Sequence, residues 1–230
     1  RRLQSVAHND VNFDKWLDEW FRARISTTVL LKQYIAIASE EDGGDGKPTG
    51  FVDLQCDVVE IVHEAAAAVS KLCCEYTGMC PQVIVDGLEE CKFSYVPSVL
   101  YDVMVELLKN SMHATIKVKP AEKLMQHPIR VTVCEDSARV IVRVADEAEG
   151  IRGVTPTTAQ EVVPGTTAEE LEDNSEIWSY MCGSPTRSGV AVDDVAATPL
   201  SGYGMGLPYA RLQVRYLGGN LKLMTFPGFG

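Results

Sequence analysis

The 230-residue chain sets 21 Lys and Arg against 32 Asp and Glu, a net charge of −11 with a pI near 4.8, which argues against nucleic acid or an anionic membrane as the principal partner. With 46% hydrophobic and 23% charged residues it has the composition of a globular domain, long enough to bury a core as one large domain or one domain plus part of another. No run approaches about 18 apolar residues, so no segment reads as crossing a bilayer.

Residues 14–38 read as one long helix, with Trp16, Trp20, Ile25, Leu30 and Leu31 forming a rough apolar stripe between charges. The Gly-rich, acidic run 39–50 is a break and the clearest linker of the first half. A second helix is expected over 57–77, where Asp57 is placed to cap it and an Ala-rich centre favours it. The period then changes. Residues 82–87 and 92–97 are short β-branched or aromatic runs between turn residues and read as strands. Helical period returns over 98–117, with Ser98 after Pro97 as the expected N-cap. Residues 129–136 and 138–146 alternate about a tight turn, as in an antiparallel hairpin.

Residues 152–201 are rich in Thr, Pro, Gly and acid and carry little periodicity. A short helix is expected within 175–181. So long a weakly periodic stretch in a compact domain reads as a lid or functional loop. After the Gly-rich run 202–208, a short helix (209–217) and a strand (220–226) complete the pattern. Helices and strands without regular βαβ alternation point to an α/β sandwich, with helices on one face of a mixed, mostly antiparallel sheet.

Seven cysteines (Cys56, Cys73, Cys74, Cys80, Cys91, Cys134 and Cys182) form no C-x-x-C pair and have no His at zinc spacing, so reduced thiols are expected rather than a disulfide framework or structural zinc. The first residues lack both Met and the pattern of a signal peptide.

Three segments carry candidate chemistry. On the helix 98–117, Glu106, Lys109, Asn110 and His113 fall on one side at about 100° per residue. On periodicity alone such a stripe is more often a solvated face, but a carboxylate can act as a base, an Asn oxygen can hold Mg²⁺ and Lys can meet phosphate. The second segment, 144–150, ends a hairpin strand in Asp146, which alone reads as an acidic turn. The third, 199–212, is a G-x-G-x-G run opening into a helix, and glycines followed by a helix N-terminus suit an anion. It fits neither the dinucleotide fingerprint nor a P-loop.

Together the segments resemble the GHKL superfamily, the Bergerat ATP-binding fold shared by gyrases, heat-shock chaperones, histidine kinases and MutL. Residues 106–114 look like its asparagine box, Asp146 to Gly150 like its first glycine box, and Gly202 to Leu207 like its second, with the lid between. Within it, residues 95–102, 106–115, 178–181, 199–212 and 216–223 resemble the mitochondrial kinases that inactivate 2-oxoacid dehydrogenases. The pyruvate dehydrogenase kinase branch looks nearer than the branched-chain branch, through residues 179–181 and 199–204. Residues 22–34 resemble the last helix of that family's regulatory bundle. The resemblance therefore divides the chain into the C-terminal part of a helical bundle (1–45) and an ATP-binding kinase domain (46–230) with a lid at about 151–201.

Carried over residue by residue, the resemblance implies that Glu106 is the general base or orienter for a substrate Ser hydroxyl. Lys109 stands near the phosphates, and Asn110 binds a Mg²⁺ that bridges them. His113 joins the ATP-binding set where the kinases carry Arg. Asp146 accepts the adenine amino proton, Gly150 closes the first box, and the backbone at Gly202, Tyr203, Gly204, Met205, Gly206 and Leu207 cradles the phosphates. In such phosphoryl transfer the protein chiefly positions groups and stabilises charge.

The implied protein is an ATP- and Mg²⁺-dependent serine kinase of the mitochondrial matrix. It acts on the decarboxylase (E1 alpha) subunit of the pyruvate dehydrogenase complex, docks on the lipoyl domain of E2 and pairs as a homodimer. Neither nucleic acid nor membrane is an expected partner. The first glycine box, usually D-x-G-x-G, is here Asp146-Glu147-Ala148-Glu149-Gly150. A positive φ at Ala148 would cost roughly 1 kcal/mol. Two alternatives stay open: a kinase of the branched-chain complex, and a docking module with weakened ATP binding. A two-component histidine kinase fits less well, because His63-Glu64 is followed by four alanines rather than a phosphoacceptor motif.

Overall fold

The computed structural model describes residues 2–41, 51–148, 176–180 and 204–224. The first element, α1 (Arg2–Glu41), is longer at both ends than periodicity predicts. Its contact stripe also differs from expectation. Leu17 and Ile25 are buried and Phe21, between them at four-residue spacing, is half-buried, whereas Trp16, Trp20, Leu30 and Leu31 of the expected stripe are exposed. The i, i+4 row of Leu17, Phe21 and Ile25 faces the rest of the molecule, and only Ile25 belongs to both sets.

β1 (Asp53–Asp57), which the sequence reading placed in no strand, leads directly into α2 (Val58–Thr77). Asp57 caps α2 as expected, its carboxylate accepting from the N–H groups of Val59 at 2.9 Å and Glu60 at 3.3 Å. β2 (Val83–Gly87) and β3 (Lys92–Tyr95) follow as strands. In α3 (Pro97–Val118) the cap differs from the expectation: Val96 occupies the N-cap position without a side-chain bond and Pro97 opens the helix. Proline's fixed φ suits the first helical position, which leaves Ser98 inside the first turn, where its hydroxyl accepts from Lys32 Nζ at 3.1 Å.

A 3₁₀ segment (Ala121–Gln126) precedes β4 (Ile129–Glu135) and β5 (Val140–Ala145), the antiparallel hairpin read from the sequence. A 3₁₀ turn (Glu176–Trp178) falls within the short helix expected at 175–181, and α4 (Gly206–Tyr216) closes the regular structure. Residues 220–224 join no sheet, contrary to the strand expected at 220–226. Leu221 and Leu223 are still less exposed than Lys222 and Met224, so the alternation sets a face, but a strand also needs a backbone partner and no described strand supplies one. The lid at about 151–201 lies outside the described residues apart from 176–180.

The strands form two sheets, β1–β3 antiparallel and β2–β4–β5 mixed. β2 runs parallel to β4, with Val83 opposite Ile129, because the chain crosses over through α3 between them. Ile129, Val131 and Val133 face Val58, Val62, Ala65 and Val69 of α2 and Met104, Leu108 and Met112 of α3, and all are at most 1% exposed. On the opposite sheet face Arg130, Ile141 and Arg143 meet solvent. This is an α/β arrangement with two helices over one face of a mixed sheet. Six cysteines are free thiols as expected; Cys182 lies outside the described residues. Among the described residues no helix is long and apolar enough to cross a membrane.

Candidate functional site

α3 carries the polar stripe because its other side is committed to the core through Met104, Leu108 and Met112. Glu106 and Lys109, one turn apart, form an ion pair with Nζ 3.0 Å from Oε1, and their side chains are 31% and 15% exposed. The stripe is thus half-buried and internally paired rather than the solvated face that periodicity alone favours. Asn110 is also half-buried, as is His113. Burial, with the charge of Lys117 adding to it, holds the His113 imidazole below its usual value of 6.5, so the ring is neutral at pH 7.

The first turn of α4 meets this stripe at Glu106. Gly204 has φ +73°, a conformation that side-chain-bearing residues rarely adopt, and the chain then enters α4 with Met205 at the N-cap and no side-chain cap bond. A Cβ built on Gly206 would collide with Glu106 Oε2, so the glycine lets the first turn of α4 lie against the carboxylate. The free N–H groups and positive dipole end of a helix favour an anion there. Met205 is exposed and Leu207 half-buried on that turn.

Asp146 follows β5, the strand across which α3 packs. Its Oδ1 accepts the Ala148 N–H at 3.1 Å, closing a tight turn in which Ala148 is buried. Glu147, between them, bonds His127. Of the residues singled out in the sequence, the structure joins Glu106, Lys109 and Gly206 directly and sets Asn110 and His113 on the same helix. Gly150, Gly202 and Tyr203 lie outside the described residues. No cluster of His, Cys, Asp and Glu among the described residues could hold a metal by itself.

Sequence reading did not find the partners of these segments. Tyr180 is buried, its hydroxyl donating to Asp18 Oδ1 at 2.7 Å and its N–H to Asp14 Oδ1 at 3.2 Å, while Ser179 Oγ bonds Asp14. Phe21 stacks on Tyr180 at 5.5 Å and lies 4.9 Å from Tyr209 of α4. The Arg211 guanidinium covers the Trp178 ring at 4.1 Å. The one signal in the sequence is the Asp14, Asp18, Phe21 series, which places two carboxylates and a ring along one side of a helix.

No protein-family model matches the chain. Curated relatives do. A pyruvate dehydrogenase (acetyl-transferring) kinase, mitochondrial, of Schizosaccharomyces pombe is 30% identical over 100% of this chain and 51% of its own length. Isozyme 1 of Rattus norvegicus is 30% identical over 95% of this chain and 47% of its own length, and isozyme 4 of Homo sapiens 28% over 95% and 50%. The chain spans about half the length of the curated relatives it matches. The similarity runs through the α3 stripe, the Asp146 turn and the entry to α4 alike, and makes the chain similar to mitochondrial pyruvate dehydrogenase kinases over about half their length.

Proposed function

We propose that the chain is the catalytic part of an ATP-dependent protein serine kinase that phosphorylates the E1 alpha subunit of the pyruvate dehydrogenase complex and so inactivates it. The observation that carries this reading is the seat of Gly206 against the Glu106 carboxylate, which sets the first turn of α4 beside a candidate base. Phosphates at the first turn of α4 would then lie next to Glu106 and Lys109. The fold in this reading is the GHKL type, with residues 1–45 belonging to a regulatory bundle and 46–230 to the kinase domain.

The residues present fit the nucleotide. Asp146 keeps one carboxylate oxygen outside its turn, able to accept an adenine amino proton. Gly204 and Gly206 admit phosphate close to the backbone, and Asn110 offers a hard amide oxygen. Mg²⁺ would supply charge neutralisation at the phosphates. Lys109 holds Glu106 in place, and Glu106 would accept the Ser hydroxyl proton or orient that hydroxyl, a contribution of about 10²–10⁴-fold. His113 is neutral at pH 7, so the charge next to Glu106 on this face of α3 comes from Lys109. The matrix location, docking on the lipoyl domain of E2 and homodimer formation are parts of the same proposal and rest on the family.

Incubating the chain with Mg²⁺-ATP and purified decarboxylase component tests the reading, with Glu106→Gln and Asp146→Ala alongside. Phosphoserine on E1 alpha is expected, lost in Glu106→Gln with ADP binding retained and lost in Asp146→Ala together with ADP binding. Transfer only to the branched-chain component would redirect the substrate. A docking module with weakened ATP binding is the second reading, favoured by the buried Ala148 where the family's box carries glycine. Absence of both nucleotide binding and transfer, with docking on the complex retained, would select it.

A further inference from the structure

The hairpin register sets Arg130 opposite Ala145, and continuing it brings the chain just before β4 alongside the chain just after β5. There His127 Nδ1 lies 2.6 Å from Glu147 Oε2, with side chains only 24% and 34% exposed. Each partner is fixed from its own side. The His127 N–H donates to Leu124 O at 3.2 Å, and Leu124, 2% exposed, anchors the 3₁₀ turn in the core. Two residues on, the Ile129 N–H donates to Gln82 O at 2.8 Å and begins β4. On the other side Glu147 stands between Asp146 and Ala148, whose turn is closed by the 3.1 Å bond to Asp146 Oδ1.

We propose that His127 is a positioning residue: through Glu147 it fixes the Asp146 turn, so that the carboxylate oxygen not used in the turn is presented to the base of a bound nucleotide. The inference rests on the nucleotide reading above and adds a determinant of base specificity outside the three sequence boxes. A turn followed directly by glycine-box residues has few backbone restraints of its own, so a short bond from a rigid strand entry decides how well the carboxylate is aimed. A carboxylate so aimed accepts from the 6-amino group of adenine and repels the 6-oxo group of guanine.

The test titrates ADP and GDP against the chain and its His127→Ala, His127→Gln and Asp146→Ala variants, with thermal melting of each without nucleotide. Wild type is expected to prefer ADP, and Asp146→Ala to lose that preference. His127→Ala is expected to weaken ADP about tenfold while leaving GDP nearly unchanged, since losing one bond to a charged group is worth about that much. His127→Gln, whose amide can still donate to Glu147, is expected to recover most of the preference. Equal weakening of ADP and GDP in His127→Ala would mean a merely structural role and overturn the inference. So would an unchanged ADP affinity, with the nucleotide reading left standing by the Asp146→Ala result. A wild-type chain that binds neither nucleotide would overturn both.

Discussion

Glu106 fills the space a side chain on Gly206 would need: the position a Cβ would take on the first residue of α4 is already occupied by the carboxylate of α3. Lys109 Nζ, 3.0 Å from the other carboxylate oxygen, holds Glu106 from the far side. The carboxylate thereby lies between an ammonium and the first turn of a helix.

From this arrangement, Gly206→Ala is expected to displace Glu106. The cost in stability is expected to be small, because the atom in the way is the free end of a flexible, part-exposed side chain that can turn aside. ADP affinity is expected to fall at least tenfold, because the added methyl and the displaced carboxylate lie at the anion-facing turn. Urea unfolding and calorimetric titration measure the two effects. A variant that keeps wild-type affinity would detach the α4 entry from nucleotide binding.

Ala148→Gly separates two effects at the first glycine box. The methyl is buried, so removing it and loosening the backbone should cost about 0.5–1 kcal/mol of stability. ATP binding is expected to tighten, up to about fivefold if the turn releases a roughly 1 kcal/mol strain. Unchanged or weaker ATP affinity would remove strain at Ala148 as an explanation for an altered box.

How much of this was legible in sequence depends on the range of the interactions. The helical period of α3 and the Asp57 cap were readable because they are fixed within one or two turns of chain. The hairpin was readable because its partners are adjacent. The parallel pairing of β2 with β4 was not, since a short, half-buried strand such as β2 carries no mark of its neighbour's direction. β1 was missed because its sequence has charged ends and one buried residue, Cys56, and forms only by pairing with β3. The site shows the same division. The Glu106, Lys109, Asn110 and His113 stripe follows from helix period, but its closure by Gly206 and the bond from His127 to Glu147 join elements that no local pattern relates.

His113 gives a pH dependence with a defined sign. Its folded-state pKa lies below 6.5, first through burial and then through Lys117, so the unfolded chain binds more protons between the two values. Stability from this residue is therefore fully present above about 6.5 and is lost as pH falls through that value toward the folded pKa. His113→Gln, which cannot charge, should show a shallower fall in melting temperature between about pH 7 and pH 5.5 than wild type. Parallel curves for the two proteins would contradict the assignment.

Tyr180 is tied to α1 through both its hydroxyl and its backbone N–H. The buried hydroxyl donates to Asp18 at 2.7 Å, and burial together with that carboxylate holds the phenol well above its ordinary pKa. A hydrogen bond to a charged acceptor contributes about 1.5–3 kcal/mol, less where the acceptor is partly solvated, as Asp18 is. Tyr180→Phe is therefore expected to cost about 1–2 kcal/mol. It leaves intact the 5.5 Å stacking on Phe21 and the backbone bond to Asp14. Asp18→Asn should cost less, since an amide oxygen still accepts the phenol proton. The double variant should be no worse than Tyr180→Phe alone, because both changes act on one bond. Urea unfolding of the four proteins closes this cycle. Additive losses would mean that Tyr180 and Asp18 stabilise the junction of α1 with residues 178–180 independently, and that Phe21 rather than the hydroxyl holds it.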